Sequence, residues 1–531
     1  MNIDIEASKS TIIITIIVII SLYLLYRIPS VSYNLMDEYY NNGGVLTTNI
    51  KSYKDLFNKK VEYIKENSNF LLDPADETLI NEIQNNINKS DDSLNLIKTF
   101  IATLNMPGNT IGYIPMTPWE DPSKKICFQL EQGSSGWYWI YGTFPKTKDC
   151  FLLMLTRVDL LPTELRKKLG YKLGETTVYC LTLGIGNEKS YYYGNVYFEG
   201  SLTILDNENF SIISKDKNYS FNHNLDKMTI FCKNMILTNN QNENDKLLYN
   251  FSSQTYNYFG MSLNQKDGCY PCDFSNNSYQ SYTNLYINMS YNNSNGLVKN
   301  LTDGNGWMDH EWGGGSINKI FYKLFLPILS KGKVYKGLPP YIWLNIRLSD
   351  NLQYMIYSFF SNPPKKGDII SCTFNKYQPS GVDFSTETAN VTVIDTTIYK
   401  GVEYPTIYKV NIEGNTYILN STLYGKTIFR DLTNTNHWGG SCDVFKDNIQ
   451  VGVGFMEAQR FDKSIDAIRD TFMLLGYDKN STFAETYNNT TYKSQLYTSY
   501  TIFIVLFILL AFILYHFIKY IVSKISKTLH Q

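Results

Sequence analysis

From about residue 110 to residue 461 the chain is cut into short β-prone runs separated by Gly, Asn, Asp and Pro, and this rhythm limits the fold more than anything else in it. Examples are Phe151-Leu152-Leu153-Met154-Leu155, Thr177-Val178-Tyr179-Cys180-Leu181, Asn195-Val196-Tyr197-Phe198 and Met228-Thr229-Ile230-Phe231. A second block from about 335 to 461 repeats the pattern over 352–360, 391–399, 408–412, 416–420 and 452–457. Evenly spaced short strands with turn signals predict barrels or a sandwich, not a parallel sheet covered by helices. The aromatic load of 15% favours strands over a helical bundle.

The flanks read differently. Residues 7–28, with an apolar heart from Ile12 to Tyr26, predict a transmembrane segment. Asp4 and Glu6 precede it with only Lys9, a poor basic leader, so a signal anchor is expected rather than a signal peptide cleaved near Ser30 or Ser32. Residues 33–104 predict a helical neck or lid: the run from Tyr53 to Tyr63, a start at Asp73-Pro74, and another capped by Asp91-Asp92. Ile465, Ile468, Phe472 and Leu475 share one face of an amphipathic helix over 462–477, ended by Gly476. A polar stalk over 478–499 leads to an uncharged apolar stretch within 500–521, and Lys519, Lys524 and Lys527 place the tail in the cytosol. The folded region is then expected on the lumenal or extracellular side of a membrane, or on a virion surface, with the lipid bilayer as a partner.

At 531 residues the chain can hold two or three domains. The balance of 48 basic and 49 acidic residues gives no electrostatic case for nucleic acid. Eight cysteines (Cys127, Cys150, Cys180, Cys232, Cys269, Cys272, Cys372, Cys442) lie between the two apolar ends and predict disulfides in an oxidising compartment. Cys269-Tyr270-Pro271-Cys272 lacks the βαβ surroundings of a redox pair and reads as a structural disulfide or free thiols. It also lacks a second ligand pair at zinc spacing, so no metal or other cofactor is expected. Sequons at Asn209, Asn218, Asn250, Asn288, Asn300, Asn390 and Asn480 agree with a glycoprotein.

The chemistry concentrates in Gly306-Trp307-Met308-Asp309-His310-Glu311-Trp312-Gly313. As a strand it alternates, with Trp307, Asp309 and Glu311 on one face and Met308, His310 and Trp312 on the other. A ring flanked by two carboxyl groups suits proton transfer to, or charge stabilisation of, an apolar ligand. An inward tryptophan ladder with its polar groups satisfied by backbone is the plainer alternative.

This run resembles the signature of the CrtC/AttH-like family of carotenoid hydratases and kievitone hydratase, with lipocalin-like pericyclases more distant. Further similar elements follow in order: Trp343-Leu344-Asn345-Ile346-Arg347-Leu348-Ser349-Asp350, Tyr404-Pro405, His437-Trp438-Gly439-Gly440, and Gly452-Val453-Gly454-Phe455-Met456-Glu457. Upstream, Gly136-Trp137-Tyr138-Trp139-Ile140-Tyr141-Gly142 resembles the family's first strand. The resemblance implies a mainly β chain with two consecutive lipocalin-like antiparallel barrels, at 110–318 and 335–461. In a hydratase of this kind Asp309 would be the acid, Trp307 the cation stabiliser and Glu311 the base for water. Trp137, Tyr138, Tyr141, His437, Trp438 and Glu457 would line the ligand site. Gly136 stands where the family has Glu, and Gly439 where it has Glu again, so two acidic positions are missing while the barrel pattern stays. Three functions fit these readings: a membrane-anchored binder of a hydrophobic small molecule (lipid, terpenoid or polyketide-like), a hydro-lyase, isomerase or cyclase acting on one, and a surface or viral envelope glycoprotein whose barrels make protein contacts.

Overall fold

In the computed structural model, residues 39–68, 135–315, 340–421 and 427–461 are described, apart from short gaps, with isolated helical positions at 81, 84–85 and within 512–519. The chain divides into two compact units, Asn34–Glu485 and a second made of Met1–Tyr33 with Thr486–Gln531. In the second, Phe512 and His516 bring their rings to 4.3 Å, one helical turn apart. The expected 7–28 segment, most of 500–521, the 462–477 helix, the 478–499 stalk and most of the neck lie outside the described residues. Among the described residues no helix is long and apolar enough to cross a membrane, which says nothing of β-barrels.

The first unit holds two closed antiparallel barrels. The neck supplies β1 (Val45–Thr47) and helix α1 (Tyr53–Ser68). Then come β2 (Ser135–Phe144), β3 (Asp149–Asp159), helix α2 (Thr163–Lys168), β4 (Thr177–Gly186) and β5 (Tyr191–Phe198). Short strands β6 (Gly200–Ile204), β7 (Phe210–Ser214) and β8 (Tyr219–His223) follow, then β9 (Lys227–Asn239) and β10 (Lys246–Asn257). Two short strands, β11 (Met261–Leu263) and β12 (Cys269–Tyr270), precede the long pair β13 (Asn276–Asn293) and β14 (Val298–Gly315). Strands β2 to β5, β6 to β10, and β13 with β14 pair in chain order; β5 also pairs β9, β10 pairs β13, and β14 returns to β2 to close the ring β2-β3-β4-β5-β9-β10-β13-β14. β5 meets β9 only through Tyr192 and Tyr193, because further along β6, β7 and β8 fan out between them.

The second barrel repeats this up-and-down plan. It runs through β15 (Tyr341–Leu348), β16 (Gln353–Phe359), β17 (Ile369–Gln378), β18 (Gly381–Tyr399) and β19 (Val402–Ile412). It continues with β20 (Asn415–Ser421), β21 (Thr427–Arg430), β22 (Asn436–Lys446) and β23 (Ile449–Gln459). β23 pairs back onto β15, and β20 and β21 share the length of β22. Two of its hairpins turn on two residues of positive φ, Glu413-Gly414 and Asp447-Asn448, the geometry that matches strand twist.

Both lumens are packed in their described parts. In the second barrel Leu344, Ile346, Ile356, Phe374, Val391 and Val410 form one apolar cluster. In the first, Gly142 and Gly306 face inward where Phe151 and Ile287 occupy the space a Cβ would need, 2.4 and 2.3 Å away. α1 is a lid on the first barrel rather than a neck held apart from it. Tyr53, Leu56, Phe57 and Val61 pack on Val158, Leu160, Leu165 and Val178 at its end, and β1 adds to the sheet beside β6. Amphipathic helix and strand ends thus bury their apolar faces together. The disulfide expectation fails for five cysteines: Cys150, Cys180, Cys232, Cys372 and Cys442 take part in no disulfide and are buried as small apolar side chains within the strands. Cys127 and Cys272, and the side chain of Cys269, lie outside the described residues.

Candidate functional site

The Gly306-to-Gly313 run is the second half of β14, and its alternation is as expected from the sequence. Its register against β2 sets Trp307 beside Tyr141 and Asp309 beside Trp139. These four side chains point out of the first barrel, not into its lumen. They meet the outer face of the second barrel, where Trp343 and Asn345 of β15, Tyr377 of β17 and Phe455 of β23 stand. Tyr141 stacks on Phe455 with centroids 4.5 Å apart. Trp139 meets Trp343 at 5.4 Å, and Trp307 meets Trp343 at 5.7 Å and Tyr377 at 5.2 Å, each edge to face. Edge-to-face aromatic pairs add to what their burial alone contributes. The Tyr141 hydroxyl donates to the Asn345 side-chain oxygen across the seam.

Asp309 sits within this aromatic box, 3% exposed. The Trp307 indole N–H and the Ser281 hydroxyl, the latter at 2.6 Å, both donate to its Oδ1. Burial holds the phenols of Tyr377 and Tyr141 well above the ordinary tyrosine range, and the charge of Asp309 adds to the rise at each. Both stay neutral hydrogen-bond donors. Further along the seam Cys150 faces Ser441; burial pushes the thiol up to about 12 despite that hydrogen bond. Lys148 closes one end on Asp443 at 3.2 Å, and the Tyr399 hydroxyl donates to the Asn240 carbonyl at 3.0 Å.

The candidates taken from the sequence are divided among three places. Trp307, Asp309 and Tyr141 come together in the seam. Glu457 lies on the same outer face, paired in register with Trp343, and accepts hydrogen bonds from Tyr341 at 3.2 Å and Gln459 at 2.9 Å. Tyr138 belongs elsewhere: it faces the lumen of the first barrel, against Phe210, Phe221 and His223. Trp438 lies in the lumen of the second, stacked on Tyr404 at 4.7 Å and donating to the Pro405 carbonyl. Strand parity separates them, since neighbours in a strand face opposite sides of the sheet. The backbones of Glu311 and Trp137 are register partners on the seam strands, and that of His437 pairs with Gln459. The side chains of these three lie outside the described residues. Trp343, Asn345, Tyr377 and Phe455 had no place among the candidates. Trp343 and Asn345 alternate along a run already singled out, and that was a usable signal. Tyr377 had none. Among the described residues no cluster of three His, Cys, Asp or Glu could hold a metal ion.

Together the fold and the seam define a double up-and-down β-barrel protein whose polar chemistry lies between its barrels. In a comparison with solved structures the chain is similar to a putative AttH from Nitrosomonas europaea (TM-score 0.43, 12% identity, covering 65% of this chain and 98% of that one). It is also similar to kievitone hydratase from Nectria haematococca (TM-score 0.38, 14% identity, 62% and 90%) and to CghA with Sch210972 (0.37, 8%, 61% and 88%). The first two bear names of the family that the sequence motifs resemble. No protein-family model matches the chain, and no curated protein matches it.

Proposed function

We propose that this protein binds a hydrophobic small molecule in the seam between its barrels, against Trp307, Trp343 and Tyr377. The observation that carries the reading is the placement of Asp309 among these rings, on an outer face built as an aromatic box. Packed lumens alone would suit a scaffold for protein contacts, but they leave the carboxylate and the neutral phenols in the seam without a purpose. A hydro-lyase or isomerase reading draws on the same group: indole faces steady a developing cation and Asp309 handles the proton. Anchoring by the 7–28 and 500–521 segments, with the barrels on the lumenal or outer side, belongs to the same proposal and rests on sequence.

Native mass spectrometry of the full chain extracted in detergent tests it. The expected result is a co-purifying hydrophobic molecule whose bound fraction falls severalfold in Tyr377→Leu and holds in Tyr138→Leu, which alters the lumen instead. A wild-type spectrum without adduct, or equal loss in both variants, overturns the reading.

A further inference from the structure

The row of outer-face residues at one end of the second barrel runs Tyr377, Gln353, Arg347, across three neighbouring strands in direct register. Arg347 is half-buried, and its Nη1 is buried with no hydrogen-bond partner among the described residues. Gln353 is 1% exposed, and its Nε2 is likewise without a partner. Both orphaned atoms are donors. The nearest acidic residue along the same row, Asp443 two strands away, is taken up by Lys148 and by the Gln450 amide at 2.8 Å. Partly burying a guanidinium with no anion opposite it among the described residues is costly, and an orphaned amide adds to the cost. Burial pulls the Arg347 pKa down, but arginine's intrinsic basicity leaves it a cation.

We propose that Arg347 and Gln353 form an oxyanion-recognition subsite of the seam, and that the ligand bound there is a hydrophobic organic acid. Directly opposed side chains on adjacent strands start about 4.5–5.5 Å apart, close enough for one carboxylate to accept from both. Tyr377 stands next in the row, and Trp307 meets it at 5.2 Å, so the apolar body continues from the acid end onto the aromatic box. Asp309, whose charge is felt at Tyr377, repels a carboxylate there and sets the direction of the ligand. This subsite rests on the seam-binding reading and goes beyond it by naming the ligand's polar end.

The test compares a fluorescent polyene fatty acid with its methyl ester, titrated into the purified full chain and into Arg347→Met and Gln353→Leu. The acid is expected to bind at least tenfold more tightly than the ester to wild type. Arg347→Met should abolish that preference while leaving ester affinity within twofold, and Gln353→Leu should reduce it severalfold. Melting of Arg347→Met should be unchanged or higher, because the substitution removes an unmatched, half-buried charge. Equal binding of acid and ester by wild type overturns the subsite and leaves the seam reading standing. A marked fall in melting with the preference retained makes Arg347 structural and also overturns it. If neither probe binds, both readings fall.

Discussion

Strand β15 shows two regions of this molecule back to back. Its inward residues, Ile342, Leu344 and Ile346, enter an apolar lumen with Ile356 and Phe374. Its outward residues, Trp343 and Asn345, both buried, and Arg347, half-buried, enter a seam that is aromatic and polar. Burial alone therefore does not distinguish the two faces; composition does. The lumen needs only shape and apolar area, whereas the seam keeps a carboxylate, part of an arginine and amides out of water, which is expensive unless they are used. Stability resides in the first region; the proposed recognition chemistry lies in the second.

The largest effect should come from the lumen. Leu344→Ala removes a fully buried side chain and is expected to cost about 2–5 kcal/mol, read from the urea midpoint. A loss within error would show that the lumen is not the core and would dissolve the contrast. In the seam, Asp309→Asn keeps an oxygen to accept from the indole N–H and the hydroxyl but removes the charge that strengthens both bonds and puts an NH2 in place of Oδ2, at a cost of about 1–3 kcal/mol. Calorimetric melting reads that cost. If the protein is a hydratase or isomerase, turnover should also fall about a hundredfold with ligand affinity nearly kept. No change in either quantity would remove Asp309 from the functional centre.

The smallest expected effect sharpens the lumen side. His223 lies in the first barrel among Tyr138, Phe210 and Tyr282, and burial lowers its pKa from 6.5 to about 3. Its folded pKa lies below the unfolded one, so between these values the unfolded chain binds the extra proton. The His223 contribution is then present above about pH 6.5 and is lost as pH falls toward 3. The loss approaches about 1.4 kcal/mol per pH unit and amounts to about 1 kcal/mol between pH 6.5 and 5.5. His223→Phe should flatten the melting profile over that interval relative to wild type. Parallel profiles would mean that the imidazole is solvated.

Much of the barrel plan was legible. Turn residues every few positions marked the strands, and Asp447-Asn448 lies at a hairpin whose two central residues both take positive φ. The alternation of Trp307 and Asp309 against Met308 was legible too. Which strand ends α1 covers was not, since its partners Val158, Leu165 and Val178 lie about a hundred residues away in sequence. Nor was the absence of disulfides among the buried cysteines. An even count is compatible with pairing, but Cys150, Cys180 and Cys442 sit within strands where ordinary packing accommodates a thiol.

The sequence by itself determined which residues share a face of each strand, because side chains in a strand alternate with a period of two whatever surrounds them. It could not say which face turns inward. Aromatic and apolar residues occupy both sides of β2 and β14, so the pattern has a period but no sign. Curvature and closure of the ring, through β14 on β2 and β23 on β15, made Tyr138 and Trp438 lumen residues. Docking of one outer wall on the other then brought Trp307 and Asp309 to Trp343 and Tyr377, positions far apart in the chain that only the packed tertiary structure could join.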